Sequence, residues 1–142
     1  MQLKFESQIF FMKLLISGDT TIREINKEFQ KTFPYLKLEF YKIKHKIKES
    51  SHFEKKIPAH NSFYEIAGDL KLSEINIRPS DTVEVLEKTF QDQFGLPIQV
   101  CRKTENIWVE TTQTDNLTLE RQNSMGEASS RPHTGNIYAL LL

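Results

Sequence analysis

The chain has 142 residues and a mass of 16.6 kDa, the size of one domain and too small for two independent enzyme domains. Its 19 basic residues balance 19 acidic ones, which excludes a chain-wide field that would draw it to nucleic acid or anionic lipid. The lone Cys101 excludes an internal disulfide framework and a cysteine-based zinc site. Together with the lack of a long apolar stretch and of a signal-peptide pattern, it predicts a soluble cytoplasmic protein with no membrane partner.

The sequence repeats itself at an offset of 61 residues, and similar apolar residues fill the positions between the identical ones. The identical pairs are Ile16 and Ile77, Thr21 and Thr82, Lys27 and Lys88, Phe29 and Phe90, Gln30 and Gln91, and Phe33 and Phe94. We therefore expect one α+β domain over residues 1–126, followed by a flexible C-terminal tail at 127–142. Within it, pseudo-repeats at about 10–43 and 72–111 are joined by a basic linker at 44–61.

The first copy is predicted to run strand, helix, strand. An apolar run at 10–16 predicts a strand. Thr21, followed three residues later by Glu24, is typical of a capping box at the start of a helix. Apolar residues then recur at helical spacing until Pro34 ends the helix, and alternating polar and apolar residues at 36–41 predict the second strand.

The second copy repeats this plan and adds a hairpin. A strand at 75–77 leads through a turn to a helix that ends at Gly95, with Asp81 and Glu84 as its expected cap. The strand that starts at Ile98 turns back at 104–106. Short helices are expected at 62–67 and at 117–123, the latter ending at Gly126.

Two duplicated strand-helix-strand units with right-handed crossovers predict a ferredoxin-like α+β sandwich with an extra C-terminal hairpin strand. The alternative is a pair of β-grasp-like halves, each wrapping its own sheet around its own helix. The small core that each half would then have argues mildly against this alternative.

The segment from Tyr41 to His60 is the most basic part of the chain. Lysines occupy alternating positions after Phe40, so the strand must bulge or leave the core there. These lysines are Lys42, Lys44, Lys46 and Lys48. They fit either a finger that binds anions or nucleic acid, or a solvated linker that protects a sheet edge from pairing with another chain; the linker is the better account.

No arrangement of residues typical of catalysis, metal binding or cofactor binding stands out. The histidines have neither the spacing of a helical metal pair nor neighbouring cysteines; they are His45, His52, His60 and His133. Cys101 is expected on the sheet face away from the helices as a passive thiol. Thr111, Thr112, Thr114 and Asp115 fit turn and cap chemistry. We therefore expect no catalytic, metal or cofactor site and no enzymatic activity.

The sheet face opposite the helices is the best candidate surface. Alternation places on it Lys37, Glu39, Tyr41, Glu74, Asn76, Gln99, Cys101, Lys103, Trp108 and Glu110. A mixed-charge surface with an exposed Trp and Tyr is typical of a protein-binding patch. We expect an unidentified protein partner, and the candidate contact residues are Tyr41, Trp108, Lys37, Lys103, Lys42, Lys44, Lys46 and Lys48. The alternative is single-stranded nucleic acid stacked on Tyr41 and Trp108.

Several separated motifs resemble a family of small uncharacterised bacterial proteins. They are FPYLKLEFY at 33–41, FGLPIQVCRK at 94–103, WVETTQTD at 108–115 and TLERQN at 118–123. The resemblance covers roughly residues 12–126. It implies a single domain and brings no activity, ligand or catalytic residue with it.

Overall fold

The computed structural model describes residues 11–42 and 55–131. Its elements, in chain order, are β1 (Met12–Ile16), α1 (Ile22–Thr32), β2 (Leu36–Phe40), α2 (Phe63–Ala67), β3 (Ser73–Ile77), α3 (Val83–Phe94), β4 (Ile98–Thr104), β5 (Ile107–Glu110) and α4 (Leu119–Ser130). A single 3-10 turn, Thr112–Thr114, precedes α4. The predicted α+β class and the order of the elements are confirmed.

The strands form two antiparallel sheets, β1–β3 and β2–β4–β5. A ferredoxin-like sandwich would place β3 beside β2 and β4 beside β1, and neither pairing occurs among the named strands of the described ranges. Both sheets instead combine strands from the two predicted halves: β1–β3 takes one strand from each, and β2–β4–β5 takes β2 from the first half and β4 and β5 from the second. The β-grasp alternative required a separate sheet in each half, and the described ranges do not have this arrangement. The ferredoxin-like arrangement is thus not confirmed.

Equivalent positions of the two predicted copies meet in both sheets. Leu14 lies opposite Ile75 in β1–β3, and Leu38 lies opposite Val100 in β2–β4. The first pair is separated by the repeat offset itself, and the second by one residue more. This register is what an internal duplication with one inserted residue in the second copy would produce.

The starts of the two long helices are held by the same backbone hydrogen bonds. In the first half, Ile22 N–H donates to the Asn61 carbonyl at 3.1 Å, and Arg23 N–H donates to the Ala59 carbonyl at 2.9 Å. The second half repeats the pattern, with Val83 N–H to the Leu117 carbonyl at 3.1 Å and Glu84 N–H to the Asp115 carbonyl at 2.9 Å. The short helix α2 of the first half is therefore equivalent to the start of α4 in the second half, and Ala59 is equivalent to Asp115.

One hydrophobic core lies between the sheets and the helices. At its centre Phe40 of β2 packs edge-on against Phe63 and Phe90, with ring centres 5.7 and 5.4 Å apart, and Phe94 completes the group beside Phe63. Such tilted and edge-on pairs add to the free energy gained by burying the rings. Because these rings come from both halves, the halves share a core.

The local features of α1, α2 and α3 follow the sequence closely. The capping box of Thr21 and Glu24 is confirmed, and the helix at 62–67 begins at a second such box formed by Ser62 and Glu65. Gly95 ends α3 in the left-handed conformation, with φ of 67°.

Two local predictions are wrong. The cap of α3 is Thr82, whose hydroxyl accepts from Val85 N–H, while the Asp81 carboxylate accepts from Arg78 N–H.

The last helix begins after Thr118 and continues through Gly126 to Ser130, beyond the predicted end at Gly126. Gly126 lies inside this helix at a close contact with Tyr35, where a Cβ on residue 126 would lie 2.8 Å from the tyrosine Cβ. Of the predicted tail, residues 127–131 thus belong to α4 and the residue after it, and 132–142 lie outside the described residues.

Candidate functional site

The face of β2–β4–β5 that points away from the core, here called the outer face, carries most of the predicted residues. Antiparallel register places Lys37 beside Cys101 and Cys101 beside Glu110, and it sets Lys103 opposite Trp108. Its members are Lys37, Glu39, Tyr41, Gln99, Cys101, Lys103, Trp108 and Glu110. Strand alternation therefore placed these residues correctly.

Glu74 and Asn76 are not part of this face. Both lie on β3, which pairs with β1 in the other sheet, and Glu74 forms an ion pair there with Lys13 at 3.2 Å. Their predicted position was wrong because it assumed one continuous sheet.

Lys37 and Glu39 organise one side of the outer face. The Lys37 ammonium lies 2.8 Å from a Glu39 carboxylate oxygen, and Lys56 approaches the other oxygen at 3.2 Å. The same ammonium lies 5.0 Å from the centre of the Trp108 ring, a cation–π geometry. Trp108, half-buried, is thereby fixed by a side chain from two strands away.

Tyr41 and Glu110 form the second contact across this face. The Tyr41 hydroxyl donates to the Glu110 carboxylate at 3.2 Å. Burial, and then the negative charge of Glu110, raise the pKa of Tyr41 well above its ordinary value. Tyr41 therefore stays protonated and keeps its donor role at physiological pH.

Cys101 lies between these pairs, only 4% exposed. Burial raises the pKa of its thiol to about 12, and the carboxylates of Glu39 and Glu110 act in the same direction. A thiol in this state holds its proton at neutral pH and is a poor nucleophile.

The basic segment leaves and rejoins the sheet beside the outer face. β2 ends at Phe40, whose carbonyl accepts from Ile57 N–H at 2.8 Å, and Lys42 N–H donates to the Lys55 carbonyl at 3.0 Å. Both ends of the segment are therefore fixed at the β2 edge. Lys42 is exposed there, whereas Lys44, Lys46 and Lys48 lie outside the described residues.

The outer edge of β2 is closed by side chains of α1. Asn26 accepts from Leu38 N–H at 2.7 Å and donates its amide to the Leu38 carbonyl at 2.9 Å. Gln30, one helical turn later, donates to the Leu36 carbonyl at 3.0 Å. Sequence reasoning missed this pair, although two carboxamides at i and i+4 beside a predicted strand are a usable signal.

The outer edge of β5 is not covered by any strand of the described ranges. Lys103 N–H donates to the Tyr35 carbonyl, so the backbone groups of Trp108, opposite it, point away from β4. Thr111 N–H bonds the Val100 carbonyl at 3.2 Å, which gives Glu110 the same outward orientation. Within the described ranges no strand pairs with this edge, and Ile107 at its start is 61% exposed.

A cleft of about 520 Å³ lies between α1 and β2. Leu38 and Ala59 are among the residues that line it, together with four cationic side chains. These cations are Arg23, Lys27, Lys37 and Lys56.

The histidines give no metal site. His60 is exposed, and His45, His52 and His133 lie outside the described residues. Among residues 11–42 and 55–131, no group of three or more His, Cys, Asp or Glu side chains is placed to hold a metal ion. No helix in these same ranges is long and apolar enough to cross a membrane.

Comparison of the chain with models of protein families, with curated proteins and with solved structures finds no match. The resemblance to a bacterial family stays a prediction.

Proposed function

We propose that this protein is a non-enzymatic interaction module that binds an extended segment of a partner protein along β5. The observation that carries the proposal is the difference between the two edges of β2–β4–β5. Asn26 and Gln30 occupy the strand groups of one edge, while at the other edge the backbone groups of Trp108 and Glu110 have no strand partner among residues 11–42 and 55–131. Unpaired edge groups are the template that strand-adding ligands use.

The outer face supports the same proposal. A peptide added beside β5 would place alternate side chains next to Trp108 and Glu110, whose own contacts to Lys37 and Tyr41 hold them in position. Aromatic side chains that are half-buried and pre-oriented are typical anchors of protein interfaces. The buried, protonated Cys101 favours this role over nucleophilic catalysis.

Single-stranded nucleic acid is the second candidate ligand. Lys42 and Lys55, paired at the base of the basic segment, would supply phosphate contacts at the rim of the outer face. Against it, Lys37 lies over the Trp108 ring where a base would stack. The Glu110 carboxylate, hydrogen-bonded to Tyr41, would also repel a phosphate.

An internal duplication is the best account of how this module arose. The helix starts at Arg23 and Glu84 share one hydrogen-bond pattern, and Leu14 meets Ile75 at the repeat offset. On this account the copies exchanged strands, so that each sheet holds strands of both copies. Side chains of α1 close the edge of β2 that β3 would occupy in a ferredoxin-like order.

Substitution at position 110 tests the proposal. Glu110→Pro removes an outward N–H without breaking a bond to β4, and Glu110→Gln is the matched control because it retains the N–H. Partners are captured from nuclease-treated cell lysate, and amide hydrogen exchange is then measured on the purified complex. We expect Glu110→Gln and the unmodified protein to retain the partner, with the Trp108 and Glu110 amides protected, and Glu110→Pro to lose it.

Two other outcomes would contradict the proposal, each in a different way. A partner held equally by Glu110→Pro would place binding away from the β5 edge. Recovery that nuclease abolishes, together with an affinity that falls steeply with salt, would favour the nucleic-acid candidate. The double variant Tyr41→Ala, Trp108→Ala then reports whether the outer face contributes to either ligand.

A further inference from the structure

Arg23 and Glu84, at equivalent places in the two halves, carry opposite charge. Arg23 and Glu84 each follow the first residue of a long helix, and each donates its N–H to the carbonyl that its half supplies, from Ala59 or from Asp115. Asn26 and Glu87 also correspond, because one accepts from Leu38 N–H and the other from Val100 N–H at 3.2 Å. Arg23, Asn26 and Ala59 of the first half are thus equivalent to three residues with carboxylate side chains in the second half, which are Glu84, Glu87 and Asp115.

In the first half these positions line the cleft between α1 and β2, and the cleft is basic. Among the described residues that line it, the one carboxylate, that of Glu39, is already paired with Lys37 and Lys56. Arg23 and Lys27 are exposed and form no ion pair with another described residue. The acidic residues of α1 itself are engaged elsewhere, Glu24 in its capping box and Glu28 with Lys31.

In the second half the same positions form an acidic corner, defined as Glu84, Glu87 and Asp115. The backbone bond from Glu84 to Asp115 holds the end of the 3-10 turn against the start of α3. Asp115 and Glu84 both act electrostatically on Glu87, whose carboxylate is partly buried against β4. Glu84 is exposed at the tip of this corner.

We propose that the basic cleft of one molecule receives the acidic corner of a second copy of this chain. The cleft presents Arg23 and Lys27, and the corner presents the carboxylates of Glu84 and Asp115, so each surface is the electrostatic complement of the other. The contact is heterologous, because different surfaces of the two molecules meet, so it leaves one free site of each kind and permits further addition. This surface is distinct from the β5 edge, and the inference stands independently of the proposed partner segment.

Sedimentation of the unmodified protein over a range of concentrations tests the inference. We expect its average mass to rise with concentration at low ionic strength and to return to that of a monomer at high ionic strength, because the contacts are between exposed charges. A protein that stays monomeric throughout overturns the proposal, as does association that salt leaves unchanged.

Two variants assign the contact to its surfaces. Arg23→Glu, Lys27→Glu replaces two cations of the cleft with carboxylates, and Glu84→Gln, Asp115→Asn removes two of the three carboxylates of the corner. Each is expected to lower self-association at least tenfold, and an equimolar mixture is expected to form dimers and no larger species, because one intact cleft meets one intact corner. A mixture that stays monomeric, or a cleft variant that associates like the unmodified protein, overturns the proposal.

A charge-swapped control separates these surfaces from a general effect of charge. Lys13→Glu, Glu74→Lys exchanges an ion pair on β1–β3 without altering net charge. It should associate as the unmodified protein does, and circular dichroism of all variants checks that each is folded. Loss of association in this control would assign the contact to another surface and contradict the inference.

Discussion

The ammonium group of Lys37 lies 5.0 Å from the centre of the Trp108 ring, although the two residues belong to strands separated by β4. Cys101, the register partner of Lys37 on the intervening strand, is buried. The outer face is therefore a packed polar layer, and Trp108, the single tryptophan of the chain, reports on its state.

Removing the cation is expected to loosen Trp108. Lys37→Met should lower the free energy of unfolding by about 0.5–1 kcal/mol, the usual size of such a contact near a surface, and should change the tryptophan emission of the folded protein. Urea unfolding followed by fluorescence measures both. Lys37→Arg keeps a cation over the ring and should behave like the unmodified protein, so equal losses in the Met and Arg variants would contradict this account.

Asn26 is expected to protect the edge of β2. Asn26→Ala leaves the N–H and the carbonyl of Leu38 without their partners, and one such loss costs about 1–3 kcal/mol when the group is shielded from water. Urea unfolding should show this loss of stability, and light scattering should show association through the newly opened edge. Lys27→Ala, one residue along the same helix, is the control for stability; a variant as stable as this control would show that Asn26 is dispensable.

These same strands, and the helices between them, show which features of the fold can be predicted from the sequence. Caps and turns such as those at Thr21 and Gly95 were predictable because they depend on residues a few positions apart. The side of each strand that faces the core was also predictable, since alternation is a property of one strand. The outer face was therefore found from the sequence, apart from Glu74 and Asn76.

The pairing of the strands was not predictable from these patterns. Alternation in β3 is the same whichever strand lies beside it, so it gives no sign that an edge of β2 is closed to β3. Asn26 closes the relevant edge from a helix that lies distant in sequence from β3. The burial of Cys101 was not predicted for a similar reason, because its register neighbours, Lys37 and Glu110, belong to other strands.

Gly126 is expected to resist substitution even though it lies inside a helix. Alanine normally stabilises a helix interior relative to glycine, but here its Cβ would lie 2.8 Å from the Cβ of Tyr35 and 3.1 Å from the Tyr35 carbonyl oxygen. We expect Gly126→Ala to lower stability by about 1–3 kcal/mol in thermal or urea unfolding, as overpacking does. Ser124→Ala, on the exposed side of α4, should be neutral or slightly stabilising. A stabilised Gly126→Ala variant would mean that α4 does not pack closely on Tyr35.

Cys101 is expected to react slowly in the folded protein. Burial raises its pKa to about 12, so the thiolate that attacks a disulfide reagent is scarce at neutral pH. Ellman's reagent should therefore label the native protein far more slowly than the protein in urea, where the thiol is free. Rapid labelling without denaturant would show that the cover formed over Cys101 opens readily.

Glu87 is expected to make stability depend on pH. Burial raises its pKa to about 7 from an ordinary value of 4.5; the hydrogen bond from Val100 N–H opposes this, and the charges of Asp115 and Glu84 add to it. The folded state therefore binds the proton more tightly than the unfolded state. The stabilisation from protonation is fully present below pH 4.5 and is lost as the pH rises through 7.

Glu87→Gln stays neutral at every pH and can still accept a hydrogen bond from Val100 N–H. Above pH 7 the variant should unfold at a higher urea concentration than the unmodified protein, and the two midpoints should converge as the pH falls below 4.5. Glu120→Gln, an exposed change on α4, should show no such convergence. If the difference between the Glu87 variant and the unmodified protein were constant over this range, burial would not have raised the pKa of this carboxyl, and Glu87 would carry its full charge in the acidic corner at neutral pH.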